Sequence, residues 1–238
     1  MTLKKSHQIS ISVAPMMGQT DCHFRHLARM LAPDLRLYTP MIHANSIVFG
    51  PRKFIVEENG KQQDVAIQLA GSDPSIMAEA AKIISKYNYN EININVGCPS
   101  PRVQKCKVGA ALMKDPSLVA NCIRSISDVV DLPLSIKTRI GVDDKDSYRF
   151  LYDFVAETAD AGCRVFIIHA RKAFLNGLNP KQNRTIPPID YEKVYRLKDD
   201  FNDLRIIING EISSIEQIEQ HLLHLDGVMI GRKAYKDP

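Results

Sequence analysis

No run of about 18 apolar residues occurs in the 238-residue chain, and its N-terminus, MTLKKSHQISISV, has two lysines but no apolar core behind them. Neither a membrane span nor a secretory leader has a basis in the sequence, so a cytoplasmic protein without a membrane partner is expected. The five cysteines, Cys22, Cys98, Cys106, Cys122 and Cys163, are odd in number and include no Cys-x-x-Cys pair. A disulfide framework and a zinc site are therefore not indicated, and no metal is expected. Gly-x-Gly-x-x-Gly is missing after the first apolar run, which removes the usual dinucleotide fingerprint. Short repeats, low-complexity tracts and linkers are absent too. Excess charge is scarce: a formal net charge of +4 and a pI near 8.7 are compatible with a polyanionic partner, yet far from the charge density of a protein that wraps DNA.

What the chain does have is ample core material, 45% hydrophobic residues, arranged in short β-branched runs between amphipathic segments. Runs at 9–14, 35–40, 65–69, 91–96, 134–138, 165–169, 205–209 and 227–230 suit strands. Asp73-Pro74 opens a helical pattern over 75–87 and Asp115-Pro116 opens another over 117–130, an acidic cap followed by a first-turn proline in each case. Segments 147–161, 191–199 and 213–223 repeat the theme. Eight strands alternating with helices predict an α/β fold, a (β/α)8 TIM barrel forming one domain over 1–238, rather than an open doubly wound sheet.

Barrel enzymes place their chemistry at the C-terminal rim of the strands, and here those strand ends are unusually polar. Pro15, Met16 and Met17 follow the first run; Gln68 ends the third; Asn95 and Cys98 follow the fourth; Lys137 and Arg139 end the fifth. His169 and Arg171 come next, then Asn209 and Gly210, and finally Gly231 and Arg232. Singly, each has a bland explanation: His169 as a satisfied core histidine, Lys137 as a snorkelling lysine, Met16 as filler, Cys98 as a small buried hydrophobe. Their recurrence at nearly every strand end favours a site. The glycine pairs after the last two strands suit a phosphate held by backbone N–H groups, with Arg232 as a charged clamp. Lys137 and Gln68 suit a planar, electron-poor heterocycle. Together they describe a flavin mononucleotide, although many barrels bind sugar phosphates through the same two loops. A loop of about twenty residues, RKAFLNGLNPKQNRTIPPID at 171–190, has the length of a functional loop. With Arg102, Lys105, Lys107 and Arg139, its Arg171, Lys172, Lys181 and Arg184 would crowd one mouth with cations, as an anionic macromolecule would require, or as a merely solvated basic face would display.

These pieces resemble the tRNA-dihydrouridine synthases, most closely their A-type branch, over essentially the whole length. The matching segments are APMMGQTD at 14–21, QLAGSDP at 68–74, EININVGCPSPRVQ at 91–104 and KTRIGVDD at 137–144. FIIHARKAFLNGLNPKQNRTIPP at 166–188, ING at 208–210 and DGVMIGR at 226–232 complete the set. The resemblance implies FMN as cofactor, NADPH as its reductant, and reduction of the C5–C6 double bond of D-loop uridines in tRNA. By position it assigns FMN contacts to Pro15, Met16, Met17, Gln68, Lys137, His169, Asn209, Gly210, Glu211, Gly231 and Arg232. Cys98 would be the proton donor, protonating C5 while hydride reaches C6, and Asn95, Lys181 and Arg184 would touch the tRNA or its target uridine.

Three departures from that pattern stand out. Glu211 occupies a position where A-type members usually have glycine, and its side chain is expected to point away from the phosphate loop. Cys106 replaces a usual glycine. Family members also continue beyond the position of Pro238 into the last barrel helix and a small helical domain that grips tRNA, so an incomplete last helix is expected here. A monomer is expected. The competing readings are an FMN barrel that reduces a free pyrimidine, and a catalytically silent RNA-binding barrel. The basic loop at 171–190 speaks against the first, and an intact Cys98 with its flavin set against the second.

Overall fold

Strand β5 (Glu91–Asn95) alternates polar and apolar residues, a pattern that in a one-sided sheet would leave Glu91, Asn93 and Asn95 facing water. All five of its residues are buried instead. Both faces of the strand are covered because the sheet closes on itself. In this computed structural model, which describes residues 10–51, 55–56 and 64–238, the strands are β1 (Ser10–Val13), β2 (Leu37–Tyr38), β3 (Ile42–His43), β4 (Val65–Ala70), β5, β6 (Leu134–Arg139), β7 (Val165–His169), β8 (Arg205–Asn209) and β9 (Gly227–Ile230). All pair in parallel, in the order β1-β9-β8-β7-β6-β5-β4-β2. A bridge between Ser12 and Arg36 joins the two ends of that order and closes the ring. The expected (β/α)8 barrel is the observed one.

One stave differs from the expected run at 35–40. The second strand is split into β2 and β3, both pairing with β4, and the register slips by one residue between them. Pro40 stands in the gap and has no N–H to offer a ladder. Thr39 repairs the break: its backbone N–H donates to Ala66 O (2.9 Å) and its Oγ1 accepts from the Gln68 N–H (3.0 Å). Ile9, expected to begin the first strand, lies outside the described residues.

Period-two alternation sorts the apolar side chains into two layers. Outward-facing Val65, Ile67, Leu69, Ile92, Ile94, Ile136, Phe166, Ile168, Ile206, Ile208 and Val228 join helix residues in the main core. Inward-facing Ala66, Tyr38, Ile167, Ile207 and Met229, with Ala14, fill the barrel interior. Each fully buried branched side chain contributes about 1.5–3 kcal/mol by leaving water.

The surrounding helices are α1 (Cys22–Leu31), α2 (Ala44–Phe49), α3 (Pro74–Ile84), α4 (Pro101–Lys105), α5 (Pro116–Ser127), α6 (Tyr148–Asp160), α7 (Tyr191–Asp200), α8 (Ile215–Leu222) and α9 (Arg232–Lys236). Their starts follow the capping chemistry of the sequence. Asp73 accepts from Ser75 and Ile76 N–H, Asp115 from Leu118, Ser147 from Phe150 and Asp190 from Lys193, while Ser214 and Gln217 form a reciprocal capping box. Among the described residues no helix is long and apolar enough to cross a membrane.

Asp73 satisfies two otherwise orphaned N–H groups at 2.9 and 3.1 Å. Asp73→Ala is expected to cost about 1 kcal/mol and to lower the melting temperature by about 2–4 °C for a domain of this size, as measured by thermal circular dichroism. An unchanged melting temperature would show that α3 does not depend on this cap.

Candidate active site

The inward face of each strand ends at the C-terminal rim, so the side chains two residues beyond the apolar interior layer converge there. Gln68 lies two residues beyond Ala66 in β4, His169 two beyond Ile167 in β7, and Asn209 two beyond Ile207 in β8. Lys137 sits on β6 in register with Asn95 on one side and Ile167 on the other. Lys137 Nζ donates to Asn209 Oδ1 (3.0 Å), and Asn209 Nδ2 donates to Met229 O (2.8 Å), which ties three strand ends together. Asn95 Nδ2 donates to Gln68 Oε1 (2.9 Å).

Cys98 is held by its backbone. Its N–H and that of Gly97 donate to Asn95 Oδ1 (3.0 and 3.2 Å), and its carbonyl accepts from Ala110 N–H (2.9 Å). Gly109, at φ +73°, makes that last contact possible, since a Cβ there would stand 2.4 Å from the Cys98 carbonyl oxygen. The thiol is half-buried, and Cys106, past the end of α4, is exposed. Gln104 Nε2 donates both to Pro99 O (2.8 Å) and to Leu175 O (2.7 Å), joining the Cys98 loop to the long loop after β7.

That long loop is ordered from within by Asn183, which is fully buried in a short 3₁₀ turn, Gln182–Arg184. Its amide accepts from Phe174 N–H (2.7 Å) and donates to Phe174 O and Leu178 O. The cations expected over the mouth divide in two. Arg139 donates to three carbonyls, Gly97, Lys172 and Asn183, and Arg171 donates to Pro187 O and pairs with Glu211. Lys172 pairs with Asp146 at 2.6 Å. These three are committed to the scaffold, whereas Arg102, Lys105, Lys107 and Lys181 are exposed and Arg184 is half-buried, its buried Nε without a partner among the described residues. Glu211 has φ +56°, the left-handed region in which glycine is at ease. Its carboxylate is spent on Arg171.

Crowded charge and burial reshape the titrations. Burial first, then Arg139, pulls Lys137 from an ordinary 10.5 down to about 7. Burial, followed by Arg139, Lys137, Arg171 and Arg184, holds His169 well below the usual imidazole range, so it is neutral at pH 7. Burial is also the largest influence on Arg139, lowered to about 10. Arg139, with Lys137 when protonated, gives the rim a preorganised positive field that an anion would relieve.

Gly210, at φ +127°, lies where a Cβ would come within 2.8 Å of His169 Cδ2, while a Cβ at Gly231 would meet nothing within 4 Å among the described residues. Tyr191 fixes the first of these turns by donating to Gly210 O (2.7 Å). Glycine backbones, the Arg184 guanidinium and the Lys137 ammonium form a donor set suited to a phosphate joined to a flat ring. Pro15 and Met16 are half-buried at the end of β1, and Arg232 is half-buried at the start of α9. Met17 and Lys181 are exposed and stand apart from the hydrogen-bonded central cluster. Sequence reasoning missed Asn93, Ser135, Gly109, Tyr191 and Asn183. The spacing Glu-x-Asn-x-Asn in β5 was the signal for Asn93, because three polar residues on one face of a buried strand must find partners inside.

Comparison with known proteins gives a consistent picture. The profile of the dihydrouridine synthase (Dus) family matches residues 12–238. The tRNA-dihydrouridine(20/20a) synthase of Vibrio vulnificus is 50% identical over 234 residues, covering 98% of this chain and 72% of that protein. The enzyme of the same name from Synechocystis sp. is 52% identical over 228 residues, 96% of this chain and 68% of that one. Among solved structures, 3-hexulose-6-phosphate synthase from Salmonella typhimurium superposes with a TM-score of 0.57 at 14% identity, over 94% of this chain and 90% of that one, a likeness of fold alone. With a profile match across nearly the whole chain and half of the residues shared with curated relatives, the chain belongs to the dihydrouridine synthase family.

Proposed function

We propose that the protein reduces the C5–C6 double bond of D-loop uridines in tRNA to dihydrouridine, with FMN held across the barrel rim and NADPH as its reductant. The observation that carries this reading is a thiol fixed on the loop after β5 near a polar cradle assembled from β4, β6, β7 and β8, with Lys137 as its cation. Gln68, Lys137, His169 and Asn209 would face the flavin, and Gly210, Gly231 and Arg232 its phosphate, with Pro15, Met16 and Met17 along one side. Glu211, paired with Arg171, would lie at the edge of the phosphate loop and leave its backbone available. FMN, when bound, supplies the hydride for C6 of the uracil ring.

The chain's own contribution is to bind, orient and protonate. Cys98 presents an S–H as general acid toward C5, a role for the thiol and not the thiolate. Asn95 aligns the loop that carries it. Neutral His169 can donate a hydrogen bond without adding charge. A base in a folded tRNA must leave its stack to reach so enclosed a rim. Arg184 and Lys181 would meet the extruded nucleotide and its neighbours, and exposed Arg102, Lys105 and Lys107 would meet the phosphate backbone, which favours a polynucleotide over a free pyrimidine.

The purified protein is expected to be yellow, to release FMN on denaturation, and to form dihydrouridine in unmodified tRNA when given NADPH. A colourless protein that loads no FMN would sink the reading. Cys98→Ser is expected to keep FMN and NADPH oxidation while losing uridine reduction by about 10²-fold or more, because a hydroxyl is a far weaker acid. Cys106→Ser is expected to change little, and the reverse pattern would move the donor role to Cys106.

A pH dependence follows from Lys137. With its pKa near 7 in the free protein, the amine is mostly neutral at pH 8–9, and an anionic ligand beside it raises that pKa. FMN binding at pH 8–9 is therefore expected to take up a proton and to weaken as pH rises, with uptake fading below pH 7, where the free amine is already charged. Calorimetry in two buffers of different ionisation enthalpy measures it. Identical heats in both would show that Lys137 does not face the cofactor.

A further inference from the structure

A continuous line of side-chain hydrogen bonds runs inside the barrel from the start of β5 to the Cys98 loop. Arg36, just before β2, pairs with Glu91 Oε2 at 2.7 Å. Ser135 Oγ donates to Glu91 Oε1, and Asn93 Nδ2 donates to Ser135 Oγ at 2.7 Å. Gln68 Nε2 donates to Asn93 Oδ1 at 2.7 Å, and Asn95 Nδ2 donates to Gln68 Oε1 at 2.9 Å. Asn95 Oδ1 then accepts from the backbone N–H groups of Gly97 and Cys98. Every residue from Glu91 to Asn95 along this line is buried, Ser135 and Asn93 completely.

The two ends are chemically opposite and neither can be reversed. A carboxylate ion-paired with Arg36 has only acceptors to offer Ser135, and backbone N–H groups are only donors. Between them, each amide has a nearly symmetric shape and would fit either way round. Turning Gln68 or Asn95 alone would set NH₂ against NH₂ or oxygen against oxygen in a dry interior, leaving buried groups unsatisfied. Turning all of them would require Glu91 to donate. The polarity of the line is thus set jointly by Glu91 and by the loop, and each link polarises the next.

We propose that Glu91, Ser135 and Asn93 are positioning residues of the active site: through this line they fix which atoms Gln68 and Asn95 present at the rim, and through Asn95 Oδ1 they hold the Cys98 loop in its working place. None of the three needs to touch the cofactor or the uridine. The inference rests on the reading of Cys98 as proton donor, and it adds residues lying below the rim to the machinery of that reaction.

Ser135→Ala cuts the line at its middle, and Glu91→Gln replaces its acceptor-only end with a group of the same size; Ser135→Thr keeps the hydroxyl. The FMN-loaded variants are compared by the rate of iodoacetamide labelling of Cys98, resolved from Cys106 by peptide mass spectrometry, and by kcat and KM for uridine reduction in unmodified tRNA. Ser135→Ala and Glu91→Gln are each expected to change Cys98 labelling by about threefold or more while Cys106 labels at its former rate, since general loosening would move both. Their kcat is expected to fall by about tenfold with KM for tRNA unchanged, and Ser135→Thr to recover both readouts. Should Ser135→Ala fail to fold, Glu91→Gln decides by the same measurements. Wild-type Cys98 labelling and kcat in the folded variants would overturn the proposal. Labelling reports the loop without reference to the reaction, so retained uridine reduction by Cys98→Ser would remove the donor role alone.

Discussion

Closing a parallel sheet into a ring takes away its solvent face, and every polar side chain on the inner surface must then be satisfied by another part of the protein. Residues on β4, β5 and β6 meet that demand along one side of the interior, where Gln68, Asn93, Ser135 and Glu91 bond to one another. Tyr38, Ala66, Ile167, Ile207 and Met229 fill much of the remaining interior. The polar residues therefore form one connected line within an otherwise largely apolar filling. That line leads up to the Cys98 loop.

Satisfaction also governs the cations at the rim. Guanidinium groups are expensive to bury unless their N–H groups are used, and Arg139 uses Nε and Nη1 on carbonyls of neighbouring loops while Arg171 uses its two Nη groups on Pro187 O and Glu211. They knit the loops after β5, β7 and β8 into one wall while charging the space beside them. Lys137 and His169 respond first to their own burial and then to that charge by giving up protons more readily. A single arrangement thus supplies mechanical stiffness and an electrostatic field matched to an anionic ligand.

Loop geometry depends on a few residues that the backbone cannot replace. Gly109 and Gly210 both hold positive φ where a Cβ would strike a neighbour, the Cys98 carbonyl in one case and the His169 ring in the other. Gln104 and Asn183 act without chemistry of their own, spanning the gap between the Cys98 loop and the loop after β7 and bracing the latter from inside. Glu211 adopts a conformation that costs a non-glycine residue free energy, and its ion pair with Arg171 offsets part of that cost.

The sequence by itself determined the strand and helix alternation, the capped starts of α3, α5, α6, α7 and α8, and the rim positions of Gln68, Cys98, Lys137, His169 and Asn209, because periodicity, caps and strand-end residues are local features encoded within a few positions of one another. It also carried the family resemblance. Only the tertiary structure decided that the second stave breaks at Pro40, that Arg139, Arg171 and Lys172 are spent on the scaffold rather than on the mouth, and that Asn93, Ser135 and Glu91 form a line reaching Cys98. The links of the line from Arg36 to Asn95 and the Arg139 clamp depend on partners 25 to 55 residues apart in the chain brought together by ring closure. A hydrogen bond's direction is set by both of its ends, and no single stretch of sequence contains both.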